Sequence, residues 1–275
     1  MMNFNLFNQS NHDQNSSNPG LLGKLYQYQK TMYTPQKVNS PILSMEELAA
    51  ALTVISDEEW GQYAFRRDPI GGKFTPEEKK RLIRLSLECG DAYVRESTET
   101  GRKSASLIAK ELGVEVRYPQ RPGAKALEAN RVLFAQYTSP SLIEVFTDCW
   151  EKMEKVLDTS SLRSILGDVD IREVLLAHEL FHYFEERDAK TIFTENEKKD
   201  LPVFGVFRNS SRILCLGEMA AMRYAKGIAG LSYSPYVFDV LLTYLYNQQA
   251  ACNLYGSIQK LLLTAAVESR QEQKQ

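Results

Sequence analysis

The chain has 275 residues, with 33 Lys and Arg against 35 Asp and Glu, a formal net charge of −2, and 43% hydrophobic residues. These are the proportions of a globular protein with a sizeable core, and they exclude collagen-like and wholly disordered chains. The small net charge gives no general attraction to nucleic acid or anionic lipid, so neither is an expected partner. No apolar run reaches the roughly 18 residues of a membrane span, and no secretory signal is visible, which predicts a cytoplasmic protein.

Two parts of the chain differ in composition. Residues 1–42 are rich in Asn, Gln and Ser and predict a flexible N-terminal segment. Residues 43–275 show continuous hydrophobic periodicity without an internal repeat, and they predict a single domain. The four cysteines have no CxxC or CxC spacing, which favours buried free thiols over disulfides or a thiolate metal site.

The first elements predicted after residue 42 are helices. MEELAAAL predicts a helix near Ser44, and capping-box residues start two more, Ser56 with Glu59 and Thr75 with Glu78. A fourth helix is expected over GRKSASLIAKEL (101–112), closed by a glycine.

The hydrophobic period then changes from near four to two. VEVRY (114–118), RVLFAQY (131–137) and LIEVFTDC (142–149) predict a meander of three strands separated by the turns PGAK and SPS. After a loop at SLRSILGD, helical spacing is expected to hold to the end. The helices expected there are one capped by Asp170 with Glu173, one over 218–229 after Gly217, and a long C-terminal one over 235–268.

The helix after Asp170 carries the pattern HExxH, with His178 and His182 four residues apart and Glu179 directly after the first. On an α-helix this spacing separates two side chains by about 40° around the axis and about 6 Å along it, so both imidazoles can hold one zinc ion. Glu179 lies on the flank of that face, where it can act as a general base towards a water molecule. The alternative is a pair of hydrogen-bonded core histidines without a metal.

A catalytic zinc site has three protein ligands, and the residues leave several candidates for the third. Glu185 and Glu186 lie on the same helix and are interpreted as surface carboxylates, while Asp188 lacks the glycine that turns the chain back in metzincin-like sites. Glu218 lies 36 residues after His182, on a helix whose small residues permit close packing, and it is the favoured ligand. Tyr137, Tyr183 and Tyr224 are equal candidates for an oxyanion-stabilising residue.

At these residues the chain resembles a known family. The segments SASLIAKELG, the predicted strands, AHELFHYF and E218-x-A-A-x-x-Y-A-K-x-I-x-G-L-x-Y-S-P are similar to the ImmA/IrrE group of small bacterial zinc metallopeptidases, over about residues 100–236. The resemblance implies His178, His182 and Glu218 as zinc ligands, Glu179 as base, and a regulatory protein as substrate. The insert TENEKKD and the C-terminal helix depart from the pattern.

The sequence therefore predicts an α+β, predominantly helical zincin-like fold with a small three-stranded sheet packed on the HExxH helix. The predicted function is zinc-dependent hydrolysis of peptide bonds, with a peptide or protein substrate aligned on the sheet edge. The rival hypothesis is a non-hydrolytic regulatory or binding protein that retains this fold.

Overall fold

A computed structural model of the chain describes residues 40–120, 134–159, 161–203 and 207–272. All but the last three residues of the predicted flexible segment 1–42 lie outside these ranges, as do residues 131–133 of the second predicted strand.

The described part of the chain is mostly helical, with a small sheet and a separate hairpin. The helices are α1 (Met45–Thr53), α2 (Asp57–Arg67), α3 (Pro76–Thr98), α4 (Ala105–Glu111), α5 (Thr147–Thr159), α6 (Leu162–Leu166), α7 (Ile171–Arg187), α8 (Phe193–Asn196), α9 (Leu214–Ala229), α10 (Val237–Tyr244) and α11 (Gln248–Glu272). The strands are β1 (Glu115–Arg117), β2 (Ala135–Thr138), β3 (Leu142–Val145), β4 (Lys198–Val203) and β5 (Phe207–Arg212). This confirms the α+β class.

The centre of the fold is the packing of α9 against α3 and α7. Close approach depends on small residues, because a Cβ added at Gly90 of α3 would lie 2.5 Å from the carbonyl oxygen of Ala220 in α9. Ala220, Ala221 and Ala225 are fully buried at this contact. These small residues allow α9 to lie close to α3, and Gly217 of α9 lies against Glu185 of the HExxH helix, α7.

The N-terminal helices begin where the sequence predicts. Capping boxes at Ser44 with Glu47, Ser56 with Glu59 and Thr75 with Glu78 start α1, α2 and α3. The helix predicted over 101–112 is shorter at both ends, because Ser104 caps it and α4 begins at Ala105. The starts of α1, α2 and α3 are predictable because a capping box is completed within four consecutive residues.

The prediction of a meander is wrong. The strand order is β1-β3-β2, with β1 parallel to β3 and β2 antiparallel to it. The SPS turn correctly joins β2 to β3, but β3 then lies between the two others. The third strand also ends at Val145, four residues early, and the rest of LIEVFTDC enters α5. The pairing of β1 with β3 is non-local, so turn signals do not specify it.

The expectation that helical spacing holds from the HExxH helix to the end is also wrong. Lys198–Val203 and Phe207–Arg212 pair as an antiparallel hairpin, which starts within the predicted insert TENEKKD. Its charged strands lack the hydrophobic alternation that predicts a half-buried strand. Two ion pairs join this region to α3, Lys199 with Glu78 and Arg81 with Glu197.

The last predicted helix is two helices rather than one. The helix is interrupted between Tyr244 and Gln248. There Asn247 Oδ1 accepts a hydrogen bond from the N–H of Ala250 at the start of α11. Asn is a residue type that favours such a start, so Asn247 is the signal in the sequence for this second helix. The loop predicted at SLRSILGD contains the short helix α6, closed by Gly167 at φ +75°.

All four cysteines are free thiols, and Cys149, Cys215 and Cys252 are buried as predicted, whereas Cys89 is only partly buried. Within the described ranges, no helix combines the length and the apolar character needed to cross a membrane.

A contact between the partly exposed Arg67 and the buried Asp239 connects α2 to α10. The Arg67 guanidinium donates to Asp239 Oδ2 at 3.2 Å, and the Tyr63 hydroxyl lies 3.4 Å from the same oxygen. Burial raises the pKa of Asp239 to about 7, although Arg67 acts in the opposite direction. An unfolded Asp titrates near 3.9, so the folded state holds this proton more tightly than the unfolded state does.

Because Asp239 binds its proton more tightly in the folded state, we expect its contribution to the free energy of unfolding to fall as pH rises from about 4 to about 7. Asp239→Asn should reduce this slope, removing a pH-dependent difference of the order of a few kcal/mol. Urea unfolding at several pH values measures the effect, with Asp158→Asn at an exposed position as the control. An unchanged slope in Asp239→Asn would contradict the interpretation.

Candidate metal centre

Helix α7 places the HExxH residues inside the protein. Asp170 begins the helix by accepting a hydrogen bond from the N–H of Glu173, as predicted. The Glu173 carboxylate does not complete a capping box, because it accepts from the N–H of Ser106 instead. His178 and Glu179 are fully buried, as are the apolar residues of the same helix, Ile171, Val174, Leu175 and Phe181.

Helix α9 carries Glu218 to the same place, and it begins earlier than predicted, at Leu214 rather than at residue 218. Ile213 provides no side-chain cap. The cap is instead supplied by Asp68, a buried residue far away in sequence, whose Oδ2 accepts a hydrogen bond from the N–H of Cys215 at 2.9 Å. Burial raises the pKa of Asp68, and hydrogen bonds from the backbone of Cys215 and Ile70 oppose the rise. A cap supplied over this distance cannot be seen in a local pattern.

The two histidines and Glu218 point their ligand atoms at one point. The Nε2 atoms of His178 and His182 lie 3.3 Å apart. Glu218 Oε2 lies 3.6 Å from His178 Nε2, and Glu218 Oε1 lies 3.8 Å from His182 Nε2. All three ligand atoms lie within 4.8 Å of one another, so this cluster could hold a metal ion.

The donor set fits zinc. Ligand atoms about 2.0–2.1 Å from a tetrahedral zinc ion are separated from one another by about 3.3–3.4 Å. The 3.3 Å between the two imidazole nitrogens has this value, and the carboxylate oxygens are a few tenths of an ångström further away. Two imidazoles and one carboxylate also leave a fourth position open, as catalytic zinc sites do.

Glu179 lies beside this cluster and is held by the sheet. Its Oε2 accepts a hydrogen bond from the backbone N–H of Tyr137 in β2 at 2.8 Å. Burial raises the pKa of the Glu179 carboxyl, and this hydrogen bond and the charge of His182 oppose the rise. A buried carboxylate with a raised pKa accepts a proton more readily than an exposed one.

The position of Tyr137 in the sheet explains how its N–H reaches α7. Phe146 N–H donates to the carbonyl of Phe134, and Tyr137 is opposite Ile143 in the antiparallel register. Hydrogen-bonded and non-hydrogen-bonded pairs alternate along such a ladder. Because Phe134 and Phe146 form a hydrogen-bonded pair, Tyr137 and Ile143 form a non-hydrogen-bonded one, and the N–H of Tyr137 points away from β3. Strand β2 is the edge of the sheet on that side.

Glu185 is buried, so the prediction of a surface carboxylate at this position is wrong. It is only 8% exposed, and its Oε2 lies 2.6 Å from His182 Nδ1. Burial by itself lowers the pKa of His182, but Glu185, together with the charges of Glu218 and Glu179, raises it to about 9. The His-x-x-Glu spacing, which places the two side chains on one face, was the available signal.

The other carboxylates considered as ligands have different partners. Asp188 follows the end of α7, where the Tyr93 hydroxyl donates to it at 2.7 Å and Arg187 pairs with it. Its pKa is lowered, chiefly by the hydrogen bond from Arg187. Glu186 is exposed and accepts from the hydroxyls of Tyr137 and Ser139.

The three tyrosines that are candidates for oxyanion stabilisation have different surroundings. The buried Tyr224 hydroxyl bonds to Ser97 Oγ at 2.9 Å, and the Tyr137 hydroxyl lies 2.8 Å from both a Glu186 carboxylate oxygen and the carbonyl oxygen of Pro140, sharing its one proton between them. The Tyr183 ring packs edge-on against Tyr137. Of the three, Tyr137 reaches the site directly, through its backbone N–H rather than its hydroxyl.

Comparison with known family models, curated proteins and solved structures gives no match.

Proposed function

We propose that the protein is a zinc-dependent endopeptidase of zincin-like fold, with His178, His182 and Glu218 as zinc ligands and Glu179 as general base. The observation that carries the proposal is the convergence of three suitable ligand atoms beside a buried carboxylate. The ImmA/IrrE resemblance of residues 100–236 agrees with it.

The ligand types favour zinc over calcium and magnesium. Calcium and magnesium are bound by oxygen ligands, whereas two imidazoles and one carboxylate match hydrolytic zinc enzymes. When bound, zinc polarises a water molecule and the carbonyl group of the substrate.

Glu179 has the proton-transfer role. Its Oε2 is fixed by the N–H of Tyr137, so the carboxylate cannot rotate freely away from the centre. It accepts the proton of the attacking water and then gives it to the amine that leaves when the peptide bond breaks. Its full burial keeps bulk water from competing for this proton.

Among the described residues, β2 is an edge strand, and we expect the substrate to dock on its side that faces away from β3. An extended peptide can add to this edge through main-chain hydrogen bonds, which do not demand a particular side-chain sequence. The N–H of Tyr137 on this edge is already donated to Glu179, so a peptide that pairs with the neighbouring main-chain groups would lie next to the base. A regulatory protein with an extended segment is the substrate class that we propose.

The experiment is reconstitution. The purified protein should be stripped with a chelator, reloaded with one equivalent of zinc and incubated with fluorescence-quenched unfolded casein. We expect cleavage after reloading, and a return to background when chelator is added again. Zinc bound at one per chain without cleavage would favour the non-hydrolytic binding protein instead.

A further inference from the structure

Glu185 uses both of its carboxylate oxygens inside the protein. Oε2 contacts His182 Nδ1 at 2.6 Å, and Oε1 accepts a hydrogen bond from the hydroxyl of Thr194 in α8 at 2.5 Å. Thr194 is itself buried. Because this carboxylate is almost fully shielded from solvent, its two partners hold it in one orientation, and it can fix the orientation of the His182 ring.

The contact with His182 is at the ring nitrogen that faces away from the metal cluster. His182 Nε2 lies in the cluster, so the imidazole that binds a metal there carries its proton on Nδ1. An acceptor at Nδ1 fixes this tautomer and the plane of the ring. His178 has no equivalent support, because its buried Nδ1 lacks a hydrogen-bond partner among the described residues.

Glu185 also packs against the residue before Glu218. A Cβ added at Gly217 would lie within 3.0 Å of three atoms of the Glu185 carboxyl group. Real Cβ contacts are not this short, so a side chain at position 217 would require the Glu185 carboxylate to move from its present place. This gives a structural reason for the glycine next to Glu218, and it places one carboxylate between the helices that carry the three ligands.

We infer that Glu185 is a positioning residue of the metal centre, which holds the His182 ring through Nδ1 and is anchored by Thr194. The inference rests on the proposed function, because it assumes that His182 binds a metal through Nε2. Loss of such an outer hydrogen bond typically weakens metal binding by about 10–100-fold.

The test is the zinc affinity of Glu185→Gln, measured by competition with a chromophoric chelator. Glutamine keeps the volume of the side chain but provides a neutral acceptor, and we expect zinc affinity to fall by about 10–100-fold. Glu186→Gln is the matched control. It removes the same charge from the next residue of α7, whose carboxylate bonds to Tyr137 and Ser139 instead of a histidine. Its zinc affinity should change much less.

A spectroscopic readout separates positioning from a general loss of stability. In protein loaded with cobalt, Glu185→Gln should shift the visible absorption bands of the ion, whereas Glu186→Gln should leave them in place. Thr194→Val removes the anchor without touching the carboxylate, and it should produce the same kind of shift with a smaller loss of affinity. This variant tests the inference even if Glu185→Gln does not fold.

The outcomes distinguish the two levels of the proposal. Wild-type affinity and an unchanged cobalt spectrum in Glu185→Gln, or in Thr194→Val if only that variant folds, would overturn the positioning role and leave the metal centre intact. Absence of zinc binding in the wild-type protein would overturn both.

Discussion

Glu218→Ala should lose zinc binding more severely than any change outside the ligand set. Two imidazoles remain, and they cannot replace the third ligand that a catalytic zinc site requires. We expect a loss larger than the roughly 10–100-fold that removal of an outer hydrogen bond causes. If Glu218 were only a polar residue of α9, its replacement would cost at most a small fraction of helix stability and would leave zinc affinity unchanged.

Asp188→Ala is the matched control for this experiment. Asp188 bonds to Tyr93 and Arg187 at the end of α7, so its loss should affect local stability but not zinc. Chelator competition on both variants, together with circular dichroism of the metal-free proteins, gives the comparison. Zinc affinity retained by Glu218→Ala and lost by Asp188→Ala would reverse the ligand assignment.

Glu179→Gln should retain zinc and fold but lose hydrolysis. The amide oxygen of glutamine can still accept the hydrogen bond from the N–H of Tyr137, so the side chain keeps its place. The amide cannot accept the proton of the attacking water, and general-base catalysis typically contributes about 10²–10⁴-fold to the rate. We expect casein cleavage to fall by at least this factor.

Glu173→Gln serves as the control, because Glu173 lies in the first turn of α7 and its carboxylate bonds to the N–H of Ser106. It should cleave casein at the wild-type rate. Undiminished cleavage by zinc-loaded Glu179→Gln would remove Glu179 from the role of base.

The parts of the fold that were predictable are those encoded within one or two helical turns. The capping boxes at Ser56 and Thr75 specify helix starts because both partners lie within four residues. The HExxH spacing likewise places His178 and His182 on one face of any helix that contains them. Glu218 could be favoured because the alanines after it permit the close contact of α9 with α3 and α7.

The parts that were missed depend on partners distant in sequence or on the absence of a hydrophobic pattern. Asp68 caps α9 across 147 residues, and β1 pairs with β3 rather than with the next strand. Glu185 was interpreted as a surface residue because charged side chains are mostly exposed. Its burial follows from the packing of α8 and Gly217 around it, which the sequence of α7 alone does not contain.

The most direct test of the metal centre is zinc X-ray absorption spectroscopy on the protein loaded with one equivalent of zinc. The proposal predicts two imidazole nitrogens and at least one carboxylate oxygen at about 2.0–2.2 Å in the first coordination shell. A first shell containing sulfur, a third imidazole or no carboxylate oxygen would contradict the site formed by His178, His182 and Glu218.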